Sequence, residues 1–530
     1  MAIWDNLVNL WHKPPPMDMS MITRSINSTI TSEWTTKVNQ YRTWWDWFEG
    51  SRFAEQVTNG NLKYPLKMNP IQWVALKHGG FLYGEIPDDA DSLVQMTFKT
   101  LDNKTDDSCK RAKNIINRVW SDSNGASIQL ENAIISQFLG GCVYKINYWP
   151  WNKMLTYGIQ ITRVMPDYIM PVWSVEDPED MSECYVMYYI TPEEALNRWG
   201  VKTRNKGNII YKEHWTRNDY EITVDNQAPS VEGLKPSGDN PWGVVPIVYI
   251  PHQFRMDGHY GMSHVDGLTG MIEELNSRMA DRGDGIKNAT VDRPVVTGTP
   301  SQPKLNILGE NTQYIHLGGG APGSTKTPNM YYLEPNSVKM GDQAKQFVDD
   351  MWHFICKASD TPPIAWGDAQ QGSQRSGMSL EVLYMSFINH LRMERIMHRS
   401  GHIKIAKMVM RIINSLNGKI VTDEMMLLDP HTKWARITPR DRMDLVNELT
   451  LRRQVQLADQ ENSLRRLDEQ EGVDVDEELE NIQAEQQEIA DQKVAQAKVL
   501  ADQKMNANNA AASARGSQDK KPSNPAQGKP

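Results

Sequence analysis

Two helical patterns separated by a short segment of strand and turn residues constrain the fold of this chain most strongly. The first pattern covers residues 262–281 and the second covers residues 337–358, and each places apolar side chains along one side of a helix. Residues 292–335, between them, are rich in Pro, Gly, Thr and Asn around short strand patterns at 294–297, 314–317 and 330–333. The sequence therefore predicts a small β module inserted between two helices.

A polar loop and further helix follow the second helical pattern. After the loop at 360–377, apolar residues recur from Ser379 at three- and four-residue steps, which predicts a long helix that Gly401 should interrupt. Residues 440–500 are mostly helical in pattern, and the stretch at 468–491 within them is strongly acidic. Residues 506–530 lack large apolar side chains, so they cannot offset the entropy of ordering and are predicted to be a disordered tail.

The N-terminal half mixes helix and strand patterns. Helices are predicted at 111–120 and 127–139, and strands at 142–148 and 184–190. Thr191 begins a capping box that predicts a short helix ending at Gly200. The chain as a whole is therefore predicted to be α+β, mainly α.

Residues 31–82 carry many aromatic side chains, which the simplest interpretation assigns to a helical core. The alternative is that some of these rings pack between subunits. The aromatic residues concerned are Trp34, Tyr41, Trp44, Trp45, Trp47, Phe48, Trp73 and Phe81.

Charge, hydropathy and cysteine spacing exclude several classes of protein. The net charge is -9, whereas a protein that binds nucleic acid tightly needs a basic surface. The chain therefore either does not bind nucleic acid or contacts it without binding it tightly. No apolar run reaches the roughly 18–20 residues that span a bilayer, and no membrane partner is expected. The cysteines lie far apart without a C-x-x-C pair, which argues against a disulfide scaffold and predicts reduced thiols; they are Cys109, Cys142, Cys184 and Cys356.

Motifs that would indicate an enzyme are present only in incomplete form. The glycine-rich segment 318–327 resembles a phosphate-binding loop, but Ser324 and Thr325 separate Gly323 from Lys326, and Pro328 follows where the pattern needs Gly-Lys-Ser/Thr at the start of a helix. We therefore predict no nucleotide cofactor and no catalytic residues.

His390, Glu394, His398 and His402 recur at four-residue steps, which places them on one face of a helix. Two imidazoles and a carboxylate could hold zinc, but the metalloprotease pattern needs Glu directly after the first His, and Arg399 follows His398. A polar helix face without a metal is the favoured interpretation.

The order of these elements, together with several short motifs, resembles the portal proteins of tailed bacteriophages. The motifs run in order over 240–491, about half the chain; they are PWGVVPI at 241–247, GMSHV at 261–265, PVVTG at 294–298, PPIAWG at 362–367, SGMSL at 376–380 and DEELENI at 476–482.

The resemblance implies the portal fold and its division along the chain. The implied parts are an N-terminal wing at 1–258, a first stem helix at 259–291, a β-rich clip at 292–335, a second stem helix at 336–358, a tunnel loop at 359–378, a long helix with the rest of the wing at 379–439, an acidic helical crown at 440–505 and the tail at 506–530.

The resemblance also implies a closed ring of identical subunits, usually a dodecamer, at one vertex of the virion capsid, assembled in the bacterial cytoplasm. Genomic double-stranded DNA would pass along its axis during packaging and ejection. The expected partners are the terminase large subunit, head-completion or adaptor proteins, and the major capsid and scaffolding proteins, with no cofactor and no metal.

Two groups of site residues follow from the resemblance. The tunnel loop would face the DNA through mainly neutral side chains that touch phosphate without strong ion pairing; its residues are Gln370, Gln371, Gly372, Ser373, Gln374 and Arg375. The clip would bind partner proteins through Asp292, Arg293, Tyr314, His316, Lys326 and Tyr331. The alternatives are a different virion structural or scaffold-type protein, or a metal-dependent hydrolase that uses the 390–402 face.

Overall fold

Helices and strands alternate along the chain, so the predicted α+β class is confirmed. All the residues that the computed structural model describes belong to one compact unit within residues 1–439. The described residues are 28–52, 68–84, 92–100, 106–174, 180–204, 207–231, 235–255, 259–289, 294–297, 315–317, 329–332, 337–367, 383–416, 418–435 and 437. The predicted crown and tail lie outside them.

The described helices follow the predicted helical patterns closely in the N-terminal half and at the second stem helix. In chain order they are α1 (Ser28–Glu49), α2 (Pro70–Leu82), α3 (Asp107–Asp122), α4 (Gly125–Leu139), α5 (Pro192–Trp199), α6 (Thr269–Ala289), α7 (Ser337–Ala358), α8 (Met385–Leu416) and α9 (Asp423–Met426). The capping box of α5 is confirmed, because the Thr191 side chain accepts a hydrogen bond from Glu194 N and Gly200 ends the helix at a φ of 66°.

The described strands include those predicted, with small shifts of their ends. They are β1 (Gln95–Lys99), β2 (Gly141–Tyr148), β3 (Ile159–Val164), β4 (Ile169–Trp173), β5 (Met181–Ile190), β6 (Ile209–Thr216), β7 (Asp219–Val224), β8 (Ser237–Asp239), β9 (Ile247–Pro251), β10 (Pro294–Thr297), β11 (Ile315–Leu317), β12 (Asn329–Tyr332) and β13 (Asp429–Lys433).

Four sheets connect these strands. Strands β4 to β8 form a five-stranded antiparallel sheet in sequence order, and β3-β2-β9 form a three-stranded antiparallel sheet. β1 pairs with β13, which brings residues more than 300 positions apart into register. β11-β10-β12 form a separate small sheet. The core of the unit therefore depends on pairings between distant parts of the chain.

Aromatic side chains of α1 pack inside the unit, which confirms the core interpretation for most of the Trp-rich region. The Phe48 and Phe138 rings stack with centroids 4.2 Å apart, and Trp45 meets Phe138 edge-on at 4.9 Å. Trp34, Trp44 and Trp47 are also buried. Trp73 on α2 differs, because 38% of it is exposed.

The helix predicted at 262–281 begins later than predicted. The helical pattern from residue 262 is not a helix at its start: a 3-10 turn at Asp266–Leu268 precedes α6, which begins at Thr269. Before that turn the backbone is bonded to other segments, because Met262 N donates to Gln253 O and His264 N donates to Gln137 O, each at 2.9 Å.

Gly401 does not interrupt the long helix, contrary to the prediction. α8 passes through it without a break. A Cβ atom at this position would lie 2.1 Å from Ile250 Cδ1 on β9. The glycine therefore allows a close approach of helix and sheet, which offsets the roughly 1 kcal/mol that glycine costs inside a helix.

Candidate functional site

The predicted β insert between two helices is present as a small three-stranded sheet. β10 is its central strand and pairs in parallel with β11 and antiparallel with β12. Val295, on β10, is fully buried. The flanking helices α6 and α7 contact each other, so the chain leaves one helix, forms the sheet and returns along the other.

Two of the predicted clip residues lie on these strands. His316 lies on β11 opposite Val296, and Tyr331 lies on β12 opposite Val295. The structure therefore places them on opposite sides of the central strand. Outside the described residues are Asp292, Arg293, Tyr314 and Lys326.

The predicted tunnel-loop residues also lie outside the described residues, but both flanks of the loop are described. A 3-10 helix at Pro363–Trp366 ends at Gly367, whose φ of 88° favours glycine. Helix α8 begins at Met385 on the other side. The residues concerned are Gln370, Gln371, Gly372, Ser373, Gln374 and Arg375.

Two helices expose large apolar side chains that the chain's own core does not cover. On α7, Phe347 and Phe354 are 43% and 54% exposed, and their seven-residue spacing places them on one side of the helix. On α8, Met393 and Ile396 are 59% and 62% exposed. Clustered exposed apolar residues of this size are typical of surfaces that meet another protein.

The 390–402 face of α8 is polar, as predicted, but it is buried inside the protein and does not face water. No residue of the set is more than 8% exposed; the set is His390, Glu394, His398 and His402. The reason is packing: α2, β9 and the segment after β9 cover this side of the helix. A helical period alone cannot distinguish a polar face in water from a polar face inside a protein.

Aromatic side chains surround His402, at the C-terminal end of this face. The His402 ring lies 5.8 Å from that of Trp120, 5.7 Å from that of Tyr144 and 6.3 Å from that of Trp434, between centroids. Burial lowers the pKa of His402 to about 3 and that of His398 to about 4, so both rings are neutral at neutral pH. They act there as buried aromatic side chains.

At the N-terminal end of this face, His390 and Glu394 contact three other histidines. Glu394 Oε1 lies 2.9 Å from His390 Nε2, 3.7 Å from His78 Nδ1 and 3.8 Å from His252 Nε2. The His264 ring lies 4.4 Å from the rings of both His78 and His390, between centroids. These residues come from α2, the segment after β9, the approach to α6, and α8.

Sequence reasoning missed three members of this cluster. His78, His252 and His264 lie from 126 to 312 positions before His390, and no spacing rule connects them. The only available signal was His264, which falls inside the GMSHV motif at 261–265. Only the tertiary fold brings these three histidines close to His390.

The comparisons with known proteins support the resemblance found in the sequence. The family described as phage portal protein, SPP1 Gp6-like, matches residues 95–492, which is most of the chain. A search of curated proteins found no significant match. Among the described residues, no helix is both long and apolar enough to cross a membrane. Portal proteins are structural components of the virion capsid rather than enzymes. The chain belongs to the SPP1 Gp6-like family of phage portal proteins.

Proposed function

We propose that this portal protein forms a closed ring of identical subunits, with an axial channel through which double-stranded DNA is packaged and later ejected. The observation that carries the proposal is the helix–sheet–helix unit of α6, the small sheet and α7, inside the region that matches the portal family. Portal rings need subunits that meet head-to-tail around an axis, and paired helices offer long sides for such contacts.

The exposed apolar residues support the ring. Phe347 and Phe354 on α7, and Met393 and Ile396 on α8, are exposed in the single chain. A head-to-tail ring would bury one of these surfaces against a different surface of the next subunit. The apolar area removed from water would then stabilise the assembly, at roughly 25 cal/mol per Å².

The channel and partner contacts belong to the same proposal. The loop that contains Gln370, Gln374 and Arg375 would narrow the channel, with amide and hydroxyl groups touching phosphate and Arg375 adding a ring of positive charge. The clip sheet, with His316 and Tyr331, would dock the terminase large subunit and later the head-completion proteins. The wing and crown would meet the major capsid and scaffolding proteins during assembly in the bacterial cytoplasm.

We expect the purified chain to form rings with an axial hole. Native mass spectrometry should give a mass of about twelve times 60.5 kDa, and negative-stain images should show the hole. Replacing Phe347 and Phe354 together by Asp should release single chains, because charge cannot be buried at an apolar interface. The far-ultraviolet circular dichroism should be unchanged.

The matched control is Gln346→Glu, which adds a charge at an exposed position of the same helix. This variant should still form rings. A wild-type chain that stays a monomer when its natural assembly partners are added would contradict the ring. If the double variant still forms rings, α7 is not part of the interface between subunits.

A second prediction tests the tunnel loop. Deleting residues 370–374 should leave ring mass and shape unchanged but reduce the yield of DNA-filled heads at least tenfold, because the segment proposed to contact DNA is gone. The measurement is packaged DNA per head after infection with the variant supplied in place of the wild type. Full heads at the wild-type yield would reject the assignment of this loop to the channel.

A further inference from the structure

A cluster of imidazole and carboxylate groups lies inside the unit. Its central members are His78, His252, His390 and Glu394, each at most 8% exposed, and His264 lies partly buried beside them. The ligand-capable atoms of His252, His390 and Glu394 lie within 4.8 Å of one another, as do those of His78, His264 and His390. The portal function assigns no role to this cluster.

The distances fit the edges of a metal coordination shell. A tetrahedral ion with ligands at about 2.0–2.1 Å places neighbouring ligand atoms about 3.4 Å apart. Glu394 Oε1 lies 2.9 Å from His390 Nε2, 3.7 Å from His78 Nδ1 and 3.8 Å from His252 Nε2. The ligand atoms of His252, His390 and Glu394 all lie within 4.8 Å of one another, so side-chain shifts would bring these three onto one ion.

The hydrogen bonds around the cluster hold two of the imidazole rings with one nitrogen bonded to a neighbouring group and the other facing Glu394, as in metal-binding histidines. His78 Nε2 lies 3.0 Å from the Ser359 carbonyl oxygen, which can only accept, so Nε2 carries the proton and Nδ1 keeps its lone pair towards Glu394. His390 Nδ1 lies 3.1 Å from Asp360 Oδ2, which leaves Nε2 facing Glu394. Histidine ligands in metalloproteins usually donate their second N–H to a carbonyl or a carboxylate in this way.

Neighbouring residues make further hydrogen bonds to the members of the cluster. Gln137 Nε2 donates to the second oxygen of Glu394, Oε2, at 2.8 Å, which leaves Oε1 for the cluster. His264 Nε2 lies 3.0 Å from the same Ser359 carbonyl and Thr361 Oγ1 lies 2.9 Å from His78 Nε2. Gln253 Nε2 lies 3.3 Å from His390 Nε2, a contact that an ion would replace.

Both ring nitrogens of the buried His252 lack a hydrogen-bond partner among the described residues. Buried polar atoms without partners cost free energy, and a buried carboxylate needs a positive charge close by. In the described structure the ion-pair partners of Glu394 are imidazoles alone, which supply such a charge only when protonated.

We propose that His252, His390 and Glu394 bind one divalent transition-metal ion, with His78 beside Glu394. Two imidazole nitrogens with one carboxylate oxygen suit Zn²⁺ best among common biological ions. The three ligands are buried, so the ion has a structural role. It would connect the segment after β9 and α8, which are far apart in the sequence.

The test is the metal content and stability of the full chain, purified without a histidine tag and without chelator. We expect about one Zn²⁺ per chain by inductively coupled plasma mass spectrometry. Removing the ion with a chelator should lower Tm, and adding Zn²⁺ should restore it. Co²⁺ in place of Zn²⁺ should show the strong visible absorption of a tetrahedral site.

Three variants separate this site from accidental binding. Glu394→Gln keeps the shape and removes the anionic ligand, and should lower Zn²⁺ affinity at least a hundredfold. Asp360→Asn changes only the partner of His390 and should lower affinity roughly 10–100-fold, even if Glu394→Gln fails to fold. His402→Gln, on the same buried face but outside the cluster, should retain the affinity of the wild type.

Two results would overturn the proposal. A wild-type chain whose Tm responds neither to chelator nor to added Zn²⁺, and which contains no stoichiometric metal, has no such site, and the cluster is then a network of imidazoles and carboxylate alone. Equal Zn²⁺ affinity in the Asp360→Asn, His402→Gln and wild-type chains means that the bound metal lies elsewhere. Neither result depends on ring formation or DNA packaging, so the portal function would stand.

Discussion

Replacing Glu213 by Gln should lower the free energy of unfolding by about 3–5 kcal/mol at pH 7, because it leaves the Lys145 ammonium group buried without its counter-charge. Glu213 on β6 is 2% exposed and Lys145 on β2 is 9% exposed, and their charged groups are in direct contact. Tyr211 Oη donates to Glu213 Oε1 at 2.5 Å and Trp215 Nε1 donates to Oε2 at 2.7 Å.

The effect should depend on pH in a defined direction. Burial alone would raise the pKa of Glu213, but Lys145 and the donors of Trp215 and Tyr211 hold it below the usual value of 4.5. A depressed carboxyl pKa stabilises the folded state fully above the unfolded pKa, and this stabilisation is lost as pH falls through the folded pKa. The wild type should therefore lose stability below about pH 4.5, and the variant should lose less.

Urea unfolding followed by tryptophan fluorescence at pH 7 and pH 4 measures both effects. The matched control is Glu183→Gln on β5, where a half-exposed carboxylate lies 3.1 Å from His214 Nε2; its cost should be about 1 kcal/mol or less. Replacing both charges, as Lys145→Met with Glu213→Gln, should recover part of the loss, because the Gln amide oxygen can still accept a hydrogen bond from Tyr211 or Trp215. A Glu213→Gln cost equal to that of the control would contradict the role given to this pair.

Gly261→Ala should cost at least about 3 kcal/mol, because the added methyl group would meet backbone atoms that cannot rotate away. The new Cβ would lie 2.1 Å from the Gly140 carbonyl oxygen and 2.8 Å from His252 N. These two atoms are themselves hydrogen-bonded at 3.0 Å. Gly140 is also held in place as the end of α4, with a φ of 76°.

The contrasting variant is Gly270→Ala near the start of α6. Nothing lies within 4 Å of a Cβ at that position, so alanine should be tolerated and should raise stability by about 0.5–1 kcal/mol through its better helix propensity. Thermal unfolding of the two variants beside the wild type gives the comparison. If Gly261→Ala melts within 2 °C of the wild type, the close backbone approach does not exist.

The helix at 337–358 shows what local sequence can predict. Its two ends were predicted without error, because the apolar period is clear and a proline- and turn-rich segment lies before it. The α5 helix was predicted from its capping box for the same kind of reason, since the signal and the structure it makes lie within ten residues.

Gly261 and Gly401 show what local reasoning missed. Gly401 was interpreted as an interruption of its own helix and Gly261 was given no role, whereas both let another segment approach. Residue 262 begins a helical pattern but not a helix, and Gly401 lies inside a helix without ending it. A contact with a segment over 100 residues away is not encoded in the neighbouring residues.

The sequence by itself determined the α+β class, the order of helices and strands around the small sheet, and the portal family, because these depend on local period, turn chemistry and motif order. Only the tertiary structure decided which side of α8 is buried and which histidines meet Glu394. A helical period indicates that residues share a face of the helix. Whether that face is exposed to water or buried depends on distant segments such as α2. For that reason the metal proposal arises from the fold, whereas the portal assignment was already present in the chain's order.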